Sequence, residues 1–193
     1  MLDMTRIISG LAGSIKLASP AKVTRPTSDR IRESIFAMLE SRDLIEGASV
    51  LDLYAGTGAL ALEAVSRGAS RAVMVERDGK AAAVCVANLK SVQKSLEKAD
   101  VEANIRVVNK SCQSFVANVS PNEYSLVFID PPYEVSNSEV ETILKALGPS
   151  LSPQATVVLE RSSRGEMPKV EPEFELEETK NYGDTVVFWL TNA

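Results

Sequence analysis

Short apolar runs alternate with amphipathic stretches along most of this chain. The apolar runs predict seven strands, at 50–53, 71–76, 105–108, 126–129, 156–159, 174–179 and 185–190. Apolar residues spaced three and four positions apart predict helices within 25–43, 58–67, 78–96 and 140–147. Strands that alternate with helices and then end in a hairpin indicate a doubly wound α/β fold. We therefore predict a seven-stranded, mostly parallel sheet with an antiparallel edge strand.

The first part of the chain has a different pattern. Two β-prone runs, 5–9 and 14–18, are joined by four residues that include Gly10 and Gly13, which predicts a β-hairpin. After a polar stretch, a Thr-Ser-Asp cluster at 27–29 offers N-caps for a helix with one apolar face. We therefore predict a hairpin extension over 1–24 and a single α/β domain over 25–193.

The central strand is followed by a turn that contains two glycines. Gly56 and Gly58 allow the backbone to turn sharply and to approach a ligand, which predicts a nucleotide-type site at the carboxyl edge of the sheet. Gly56, Gly58 and Ala61 also fit a dinucleotide pattern, so the glycines alone are compatible with NAD. Asp52 favours a different ligand, because its carboxylate would repel a pyrophosphate and attract the cationic ammonium of a methionine moiety.

Polar residues follow the next two predicted strands. Glu76 ends the second strand, 18 residues after Gly58, where a carboxylate can accept hydrogen bonds from both ribose hydroxyls. Residues 109–112 follow the third strand, and we expect them to meet the edge of an adenine ring.

The tetrad at 130–133 reads Asp-Pro-Pro-Tyr and is the most specific signal in the chain. It directly follows a predicted buried strand, across the switch point of the sheet from the glycine turn. Acceptors at Asp130 and the Pro131 carbonyl can bind the two N–H groups of a planar exocyclic amine and favour a pyramidal nitrogen with a localised lone pair. Tyr133 offers a face on which a flipped-out base can stack.

Composition narrows the class of protein. With 45% apolar and 24% charged residues, the 193-residue chain is ordinary for a globular domain, and it shows neither a membrane-spanning run nor a signal-peptide pattern. We therefore expect a cytoplasmic protein that does not bind membranes. Two cysteines and no histidine predict neither a disulfide framework nor a zinc site, so we expect no metal.

Charge is distributed unevenly along the chain. The net charge is −5, yet the first 32 residues hold six basic and two acidic side chains, whereas the remainder holds 15 basic and 24 acidic ones. This asymmetry is typical either of an electrostatic grip on phosphates at one face or of a solvated basic segment without a partner. Arg25, Arg30 and Arg32 could converge near the start of the first helix, where the helix dipole also favours phosphate.

Both constellations resemble those of a known class of enzyme. The stretch 52–60 resembles motif I of the class I S-adenosylmethionine-dependent methyltransferases. The tetrad resembles the motif of an acid, amide or serine followed by Pro-Pro-aromatic in members that methylate exocyclic amino groups of bases.

Nearly the whole chain is similar to the RsmD-like family, which methylates the N2 of a guanine in small-subunit ribosomal RNA. The residues that carry this resemblance are Arg6-Ile7-Ile8, Gly10, Arg25-Pro26-Thr27, Asp29-Arg30, Arg32-Glu33, residues 52–60, Glu63, Glu76, Asn109, residues 130–133 and Tyr182-Gly183.

The resemblance implies a Rossmann-like class I methyltransferase fold, S-adenosyl-L-methionine as cofactor, and ribosomal RNA or an assembling ribosomal particle as partner. Residues 25–27 would lie over the active site, and the hairpin would help to hold RNA. The implied cofactor-binding residues are Asp52, Tyr54, Ala55, Gly56, Thr57, Gly58, Glu76, Arg77, Ser111, Cys112 and Asp130. The implied catalytic residues are Asp130, Pro131, Pro132 and Tyr133. The RNA-binding candidates are Arg6, Lys16, Arg25, Thr27, Arg30 and Arg32.

Two segments depart from the family pattern. The loop after Gly10 is usually rich in arginine, and here it reads Leu-Ala-Gly-Ser-Ile, so this hairpin offers fewer cations to RNA. Ser111 and Cys112 replace commoner residues, so we expect adenine contacts there to be mainly through the backbone.

Three other functions compete with this one. A DNA adenine-N6 methyltransferase shares the tetrad but normally carries a target-recognition insertion, and none is visible here. An NAD-dependent oxidoreductase is disfavoured by Asp52 and by the lack of histidine. A non-catalytic RNA-binding or assembly protein would keep its function without Asp130. We expect a methyltransferase that acts as a monomer.

Overall fold

The computed structural model describes residues 5–19 and 28–193. Within these residues the strands are β1 (Ser49–Leu53), β2 (Arg71–Val75), β3 (Asn104–Val108), β4 (Tyr124–Ile129), β5 (Leu151–Ser162), β6 (Phe174–Tyr182) and β7 (Thr185–Asn192). The helices are α1 (Asp29–Ser41), α2 (Ala59–Ser66), α3 (Gly79–Lys98), α4 (Cys112–Val116) and α5 (Asn137–Leu147). A short 3-10 turn, Gly148–Ser150, leads into β5. In this part of the chain no helix is long and apolar enough to cross a membrane.

The strands form one sheet in the order β3-β2-β1-β4-β5-β7-β6. All pairs from β3 to β5 are parallel, whereas β7 runs antiparallel to both β5 and β6. The strand order reverses between β1 and β4, which places the switch point, and the crevice that goes with it, at the carboxyl ends of these two strands. The predicted doubly wound, mostly parallel sheet is confirmed, and its antiparallel strand β7 lies one position inside the edge.

Both faces of the sheet are buried. Val50 of β1 packs with residues of α1, α2 and α3 on one face, while Leu51 and Leu53 pack with residues of α4 and α5 on the other. A strand covered on both faces must be apolar at almost every position, which explains the continuous hydrophobic runs in the sequence. Asp52 interrupts this run, although only 1% of the residue is exposed.

Short polar residues begin most of the helices. The side chains of Ser28, Asp78, Ser111 and Ser136 each accept a hydrogen bond from the backbone N–H three residues further on. One helix, α4, is missing from the sequence prediction because its five residues are too few to show a helical period. It begins at Cys112, so the predicted adenine-edge segment 109–112 is a strand-to-helix connection.

The predicted N-terminal hairpin is confirmed, although its ladder is short. Arg6 and Lys16 form an antiparallel bridge, and the N–H of Ile7 donates to the Ile15 carbonyl at 2.9 Å. The hairpin packs on the helices of the domain, because Ile7 and Leu17 are buried in the same core cluster as α1, α2 and α3. The predicted boundary between residues 24 and 25 lies outside the described residues.

Two polar side chains of α2 hold the hairpin in place. The carboxylate of Glu63, fully buried, accepts hydrogen bonds from the N–H groups of Ile8 at 2.6 Å and Ser9 at 3.0 Å. The Ser66 hydroxyl accepts from the Ala12 N–H at 2.9 Å and donates to the Ser9 carbonyl at 2.6 Å. Backbone groups that the hairpin cannot pair internally are thus satisfied by α2, which is the condition for burying them.

Gly10 is required at this contact. Its φ is +81°, and a Cβ built on it would lie 1.9 Å from the carbonyl oxygen of Ser66. A glycine there lets the hairpin backbone touch the backbone of α2 directly.

Asn88 joins the end of the hairpin to the glycine turn. From α3, its Oδ1 accepts from the Ala18 N–H at 2.8 Å, and its Nδ2 donates to the Ala18 carbonyl at 3.0 Å and to the Thr57 carbonyl at 2.9 Å. One buried amide therefore fixes two segments that are far apart in sequence.

Candidate cofactor and substrate site

A cavity of about 320 Å³ opens at the carboxyl edge of the sheet, at the switch point. Four strands contribute an acidic residue at or near their ends: Asp52, Glu76, Asp130 and Glu160. The volume of the cavity falls in the range of pockets that hold a small ligand. The predicted site residues that line it are Asp52, Tyr54, Ala55, Gly56, Thr57, Glu76, Arg77, Ser111, Cys112, Asp130, Pro131, Pro132 and Tyr133.

The turn after β1 uses left-handed backbone at three positions. The φ angles are +66° at Tyr54, +55° at Gly56 and +79° at Gly58. Tyr54 is the costly one, because a side chain in this region is strained by about 1–2 kcal/mol. Gly58, predicted to bind cofactor, is not among the residues that line the cavity. It is the N-cap of α2, and a Cβ there would meet the sulfur atoms of Cys85 and Met74 at 2.8 Å. The turn is therefore set by both its conformation and the packing beneath it.

Asp52 is a buried carboxylate that faces this cavity. Its Oδ2 accepts a hydrogen bond from the Ala61 N–H in the first turn of α2, at 3.2 Å. Burial, with a smaller contribution from the carboxylates of Asp130 and Glu76, raises the pKa of Asp52 to about 8. A cation bound in the cavity would lower that pKa again and stabilise the ionised form.

Glu76 lies across the glycine turn. Its Oε2 accepts from the Gly56 N–H at 2.9 Å, and its Oε1 accepts from the Asp78 N–H at 2.7 Å. The Asn109 amide donates to the carbonyls of Glu76 at 2.8 Å and Arg77 at 2.9 Å, so it fixes the backbone on which both side chains stand. Each carboxylate oxygen has further lone pairs that can accept hydrogen bonds from a ligand.

The segment predicted to meet an adenine contributes two of its four residues to the cavity, Ser111 and Cys112. The Ser111 hydroxyl accepts from the Ser114 N–H at 3.2 Å, because it caps α4. Burial raises the pKa of the Cys112 thiol to about 12, so it is neutral at physiological pH.

The tetrad continues from β4 into the cavity. Asp130 is half-buried and Pro131 is buried, whereas Pro132 and Tyr133 are exposed. The Val135 N–H donates to the Pro132 carbonyl at 3.0 Å, which closes a tight turn after the tetrad. Tyr133 is 58% exposed and presents its ring at the mouth of the site.

Arg161 of β5 supports the segment after the tetrad. Its Nη2 donates to the Val135 carbonyl at 2.8 Å and to the Asn137 Oδ1 at 2.9 Å. Desolvation lowers the pKa of Arg161 from its ordinary value, although the group stays cationic.

Several lining residues were missed by the sequence interpretation. The Gln113 amide donates to Glu139 Oε1 at 2.5 Å, and the Tyr54 hydroxyl donates to the same oxygen at 3.4 Å. This cluster joins α4, α5 and the glycine turn, and no sequence pattern connects its members. Glu160 did carry a signal, since it is an acid that follows an apolar run, as Glu76 and Asp130 do.

The basic residues predicted to bind RNA fall into three groups. Arg6, Lys16 and Arg30 are exposed. Arg25 and Thr27 lie outside the described residues. Arg32 differs from the expectation, because it is 1% exposed and its Nη2 donates to the Arg6 carbonyl at 2.9 Å and to Asp29 Oδ1 at 2.5 Å. It stands beside the apolar face of α1, its hydrogen bond to the Arg6 carbonyl helps to hold the hairpin, and it also lines the cavity.

The fold, with this glycine turn, buried aspartate and Asp-Pro-Pro-Tyr tetrad around one cavity, defines a Rossmann-like S-adenosylmethionine-dependent methyltransferase. The chain belongs to the family described as "Conserved hypothetical protein 95", whose model matches residues 5–191. This match and the relatives described next together confirm the predicted RsmD-like family.

Individual relatives agree with this membership. The chain is 33% identical over 179 residues to ribosomal RNA small subunit methyltransferase D of Escherichia coli (strain K12), covering 92% of this chain and 85% of that protein. It is 31% identical over 170 residues to the protein of the same name in Haemophilus influenzae, covering 87% and 83%. It is also similar to the solved structure of yhhF from Escherichia coli, with a TM-score of 0.79, 30% identity and 98% of each chain covered.

Proposed function

We propose that this protein transfers a methyl group from S-adenosylmethionine to the exocyclic N2 of a guanine in small-subunit ribosomal RNA. The observation that carries the proposal is that the Asp-Pro-Pro-Tyr tetrad and the glycine turn line the same cavity. The names of the relatives from Escherichia coli and Haemophilus influenzae support a ribosomal RNA substrate. Such an enzyme would work as a monomer in the cytoplasm, on RNA or on an assembling ribosomal particle.

The residues that line the cavity suit the proposed cofactor. When bound, S-adenosylmethionine supplies an electrophilic methyl group on a positively charged sulfur. Asp52 would attract the ammonium of its methionine part, and Gly56 would bring the backbone close to it. Glu76 would accept hydrogen bonds from the ribose hydroxyls, and Ser111 and Cys112 would line the adenine end.

The chemical problem is the target amine. The lone pair of an exocyclic amine is delocalised into the ring, so this nitrogen is a poor nucleophile. The Asp130 carboxylate and the Pro131 carbonyl would accept its two N–H groups and favour a pyramidal nitrogen whose lone pair points to the methyl group. The two prolines restrict the backbone that carries these acceptors, so the acceptors are in place before the substrate arrives. Once methylated, the nitrogen is cationic and readily gives up a proton to water or to Asp130.

The surroundings suit a nucleic acid. A base that stacks on the exposed ring of Tyr133 would gain about 1–3 kcal/mol. Arg6, Lys16 and Arg30 are exposed, and Arg6 and Lys16 form a cross-strand pair on the hairpin, where they can contact phosphates. Arg25 and Thr27 complete the proposed RNA-contacting set.

The test is transfer of labelled methyl from S-adenosylmethionine to undermodified small-subunit RNA and to partly assembled particles, followed by nucleoside analysis. We expect label in N2-methylguanosine. Label in N6-methyladenosine would instead favour the adenine enzyme, and tight cofactor binding without any transfer would favour a binding role.

Asp130→Ala tests the role of the tetrad. We expect near-normal cofactor affinity and a loss of methyl transfer of at least ~100-fold, the scale of removing a preorganised polar group. Glu134→Ala is the matched control, because it removes an exposed carboxylate four positions away that does not line the cavity. Full turnover by Asp130→Ala would contradict the assignment of Asp130 as the amine acceptor.

A further inference from the structure

We infer that Glu160 is a specificity-determining residue that selects guanine by accepting a hydrogen bond from the ring N1–H beside the target amine. The inference rests on the proposed function, since it concerns which base presents its amine to Asp130.

The sheet register places Glu160 beside Asp130. The last paired residues of β4 and β5 are Ile129 and Leu159. The residues that follow them, Asp130 just after β4 and Glu160 within β5, therefore stand side by side at the carboxyl edge. Both are half-buried and both line the cavity. Side chains at equivalent positions of adjacent parallel strands point to the same side, which brings the two carboxyl groups to the same part of the site.

The order of strands gives these two residues different neighbours. β4 lies between β1 and β5, so the glycine turn is on one side of Asp130 and Glu160 is on the other. The cofactor site is built around β1 and β2. A base whose amine is held at Asp130 therefore extends its ring toward β5 and Glu160.

The atom next to the amine differs between bases. In guanine, the N2 amine is adjacent to N1–H, which is a donor. In adenine and cytosine, the exocyclic amine is adjacent to a ring nitrogen that carries a lone pair and is an acceptor. An ionised carboxylate can only accept hydrogen bonds, so Glu160 would bind guanine at this position and repel the lone pair of the other two bases.

Glu160 is also held firmly enough to discriminate. It lies within β5, where it pairs with Val187 of β7, so its backbone is held by the sheet. The next residue, Arg161, fixes the segment that follows the tetrad. The same strand, β5, thus carries Glu160 and supports the segment that follows Tyr133, the residue on which the base would stack. This keeps the relative position of the two side chains constant.

The experiment compares two RNAs that differ at N1 and C6 of the target base. One carries the target guanine, located by nucleoside mapping, and the other carries 2-aminopurine at that position. 2-Aminopurine keeps the exocyclic 2-amine, but its N1 is an acceptor and its C6 carries hydrogen in place of the guanine O6. The Glu160 variants below separate the effect of N1 from that of O6. We expect the wild-type kcat/KM to be about 10- to 100-fold higher for guanine, the scale of one hydrogen bond to a charged group.

Glu160→Gln then shows whether the preference comes from this residue. Its amide is isosteric with the carboxylate and can donate to N1 of 2-aminopurine, so the preference should fall at least ~10-fold. Glu160→Asp remains an acceptor only, so it should keep the preference for guanine even if its rate falls. Glu166→Gln is the matched control, since it removes the same charge from an exposed position outside the cavity, and it should behave as wild type.

The outcomes separate this inference from the proposed function. An unchanged preference in Glu160→Gln, or equal methylation of both RNAs by the wild type, would overturn the role of Glu160 while leaving guanine-N2 methylation intact. A wild-type enzyme that transfers no methyl group to guanine would instead overturn the proposed function. Binding of S-adenosylhomocysteine by each variant verifies that its cofactor site is folded.

Discussion

Because Asp52 is a buried carboxylate, we predict that the affinity for the cofactor depends on pH. Its pKa of about 8 means that the free protein carries this group mostly protonated at neutral pH. A cationic ammonium binds the ionised form, so binding must first remove the proton. We therefore expect the affinity for S-adenosylhomocysteine, which keeps the ammonium, to rise with pH and to level off above pH 8.

The size of the effect follows from the pKa. About a tenth of Asp52 is ionised at pH 7 and about a hundredth at pH 6, so the affinity should fall about tenfold, or ~1.4 kcal/mol, for each pH unit below 7. For the same reason binding at pH 7 should release about 0.9 proton per protein molecule.

Isothermal titration calorimetry in buffers of different ionisation enthalpy measures both quantities. Asp52→Asn has no titrating group here, so its affinity should be weaker than wild type at pH 8.5 and nearly flat between pH 6 and 8. A flat profile in the wild type, or an equal slope in Asp52→Asn, would show that ionisation of Asp52 does not control cofactor binding.

Stability gives a second readout for Asp52. Because the folded-state pKa lies above the ordinary value of 3.8, the contribution to stability is complete below pH 4 and is lost as the pH rises through 8. In the absence of cofactor, Asp52→Asn should therefore gain stability relative to wild type between pH 5 and 9. An unchanged difference across that range would argue against a raised pKa.

Two predictions concern the contacts that hold the N-terminal hairpin. Gly10→Ala should lower the free energy of unfolding by roughly 3 kcal/mol, because the new Cβ meets the backbone of α2. The control is Gly47→Ala, where φ is +70° and no atom lies near the new Cβ, so the free energy of unfolding should fall by only about 1 kcal/mol. If urea denaturation gave the two variants equal losses of unfolding free energy, the close approach of Gly10 to the backbone of α2 would be absent. Asn88→Ala should lower the free energy of unfolding by about 1–3 kcal/mol and also weaken cofactor binding, since it frees the Thr57 carbonyl of the glycine turn. Asn118→Ala, at an exposed position just after α4, should change neither. Unchanged cofactor affinity in Asn88→Ala would show that the hydrogen bonds of Asn88 do not couple the hairpin to the cofactor site.

Much of the fold is written in local patterns. The strands that flank the switch point, β1 and β4, are buried on both faces, so their apolar runs predict them. The glycine turn can be predicted in the same way, because at Gly58 only glycine tolerates both the positive φ and the close packing around it. The tetrad at 130–133 follows a strand, and parallel strands present their carboxyl ends at one edge. For these reasons the sheet, the switch point and the central residues of the cavity could be predicted from local sequence patterns.

Other features depend on contacts between distant segments, which no local pattern records. Arg32 is of a residue type that is usually exposed, yet it is buried and donates a hydrogen bond to the Arg6 carbonyl of the hairpin. Glu63 has no distinguishing neighbours in sequence, yet it anchors the hairpin 54 and 55 residues away. Glu160 acquires its place beside Asp130 only through the register of β4 and β5. Tertiary structure alone decided these, since a buried polar group is defined by the partner that satisfies it.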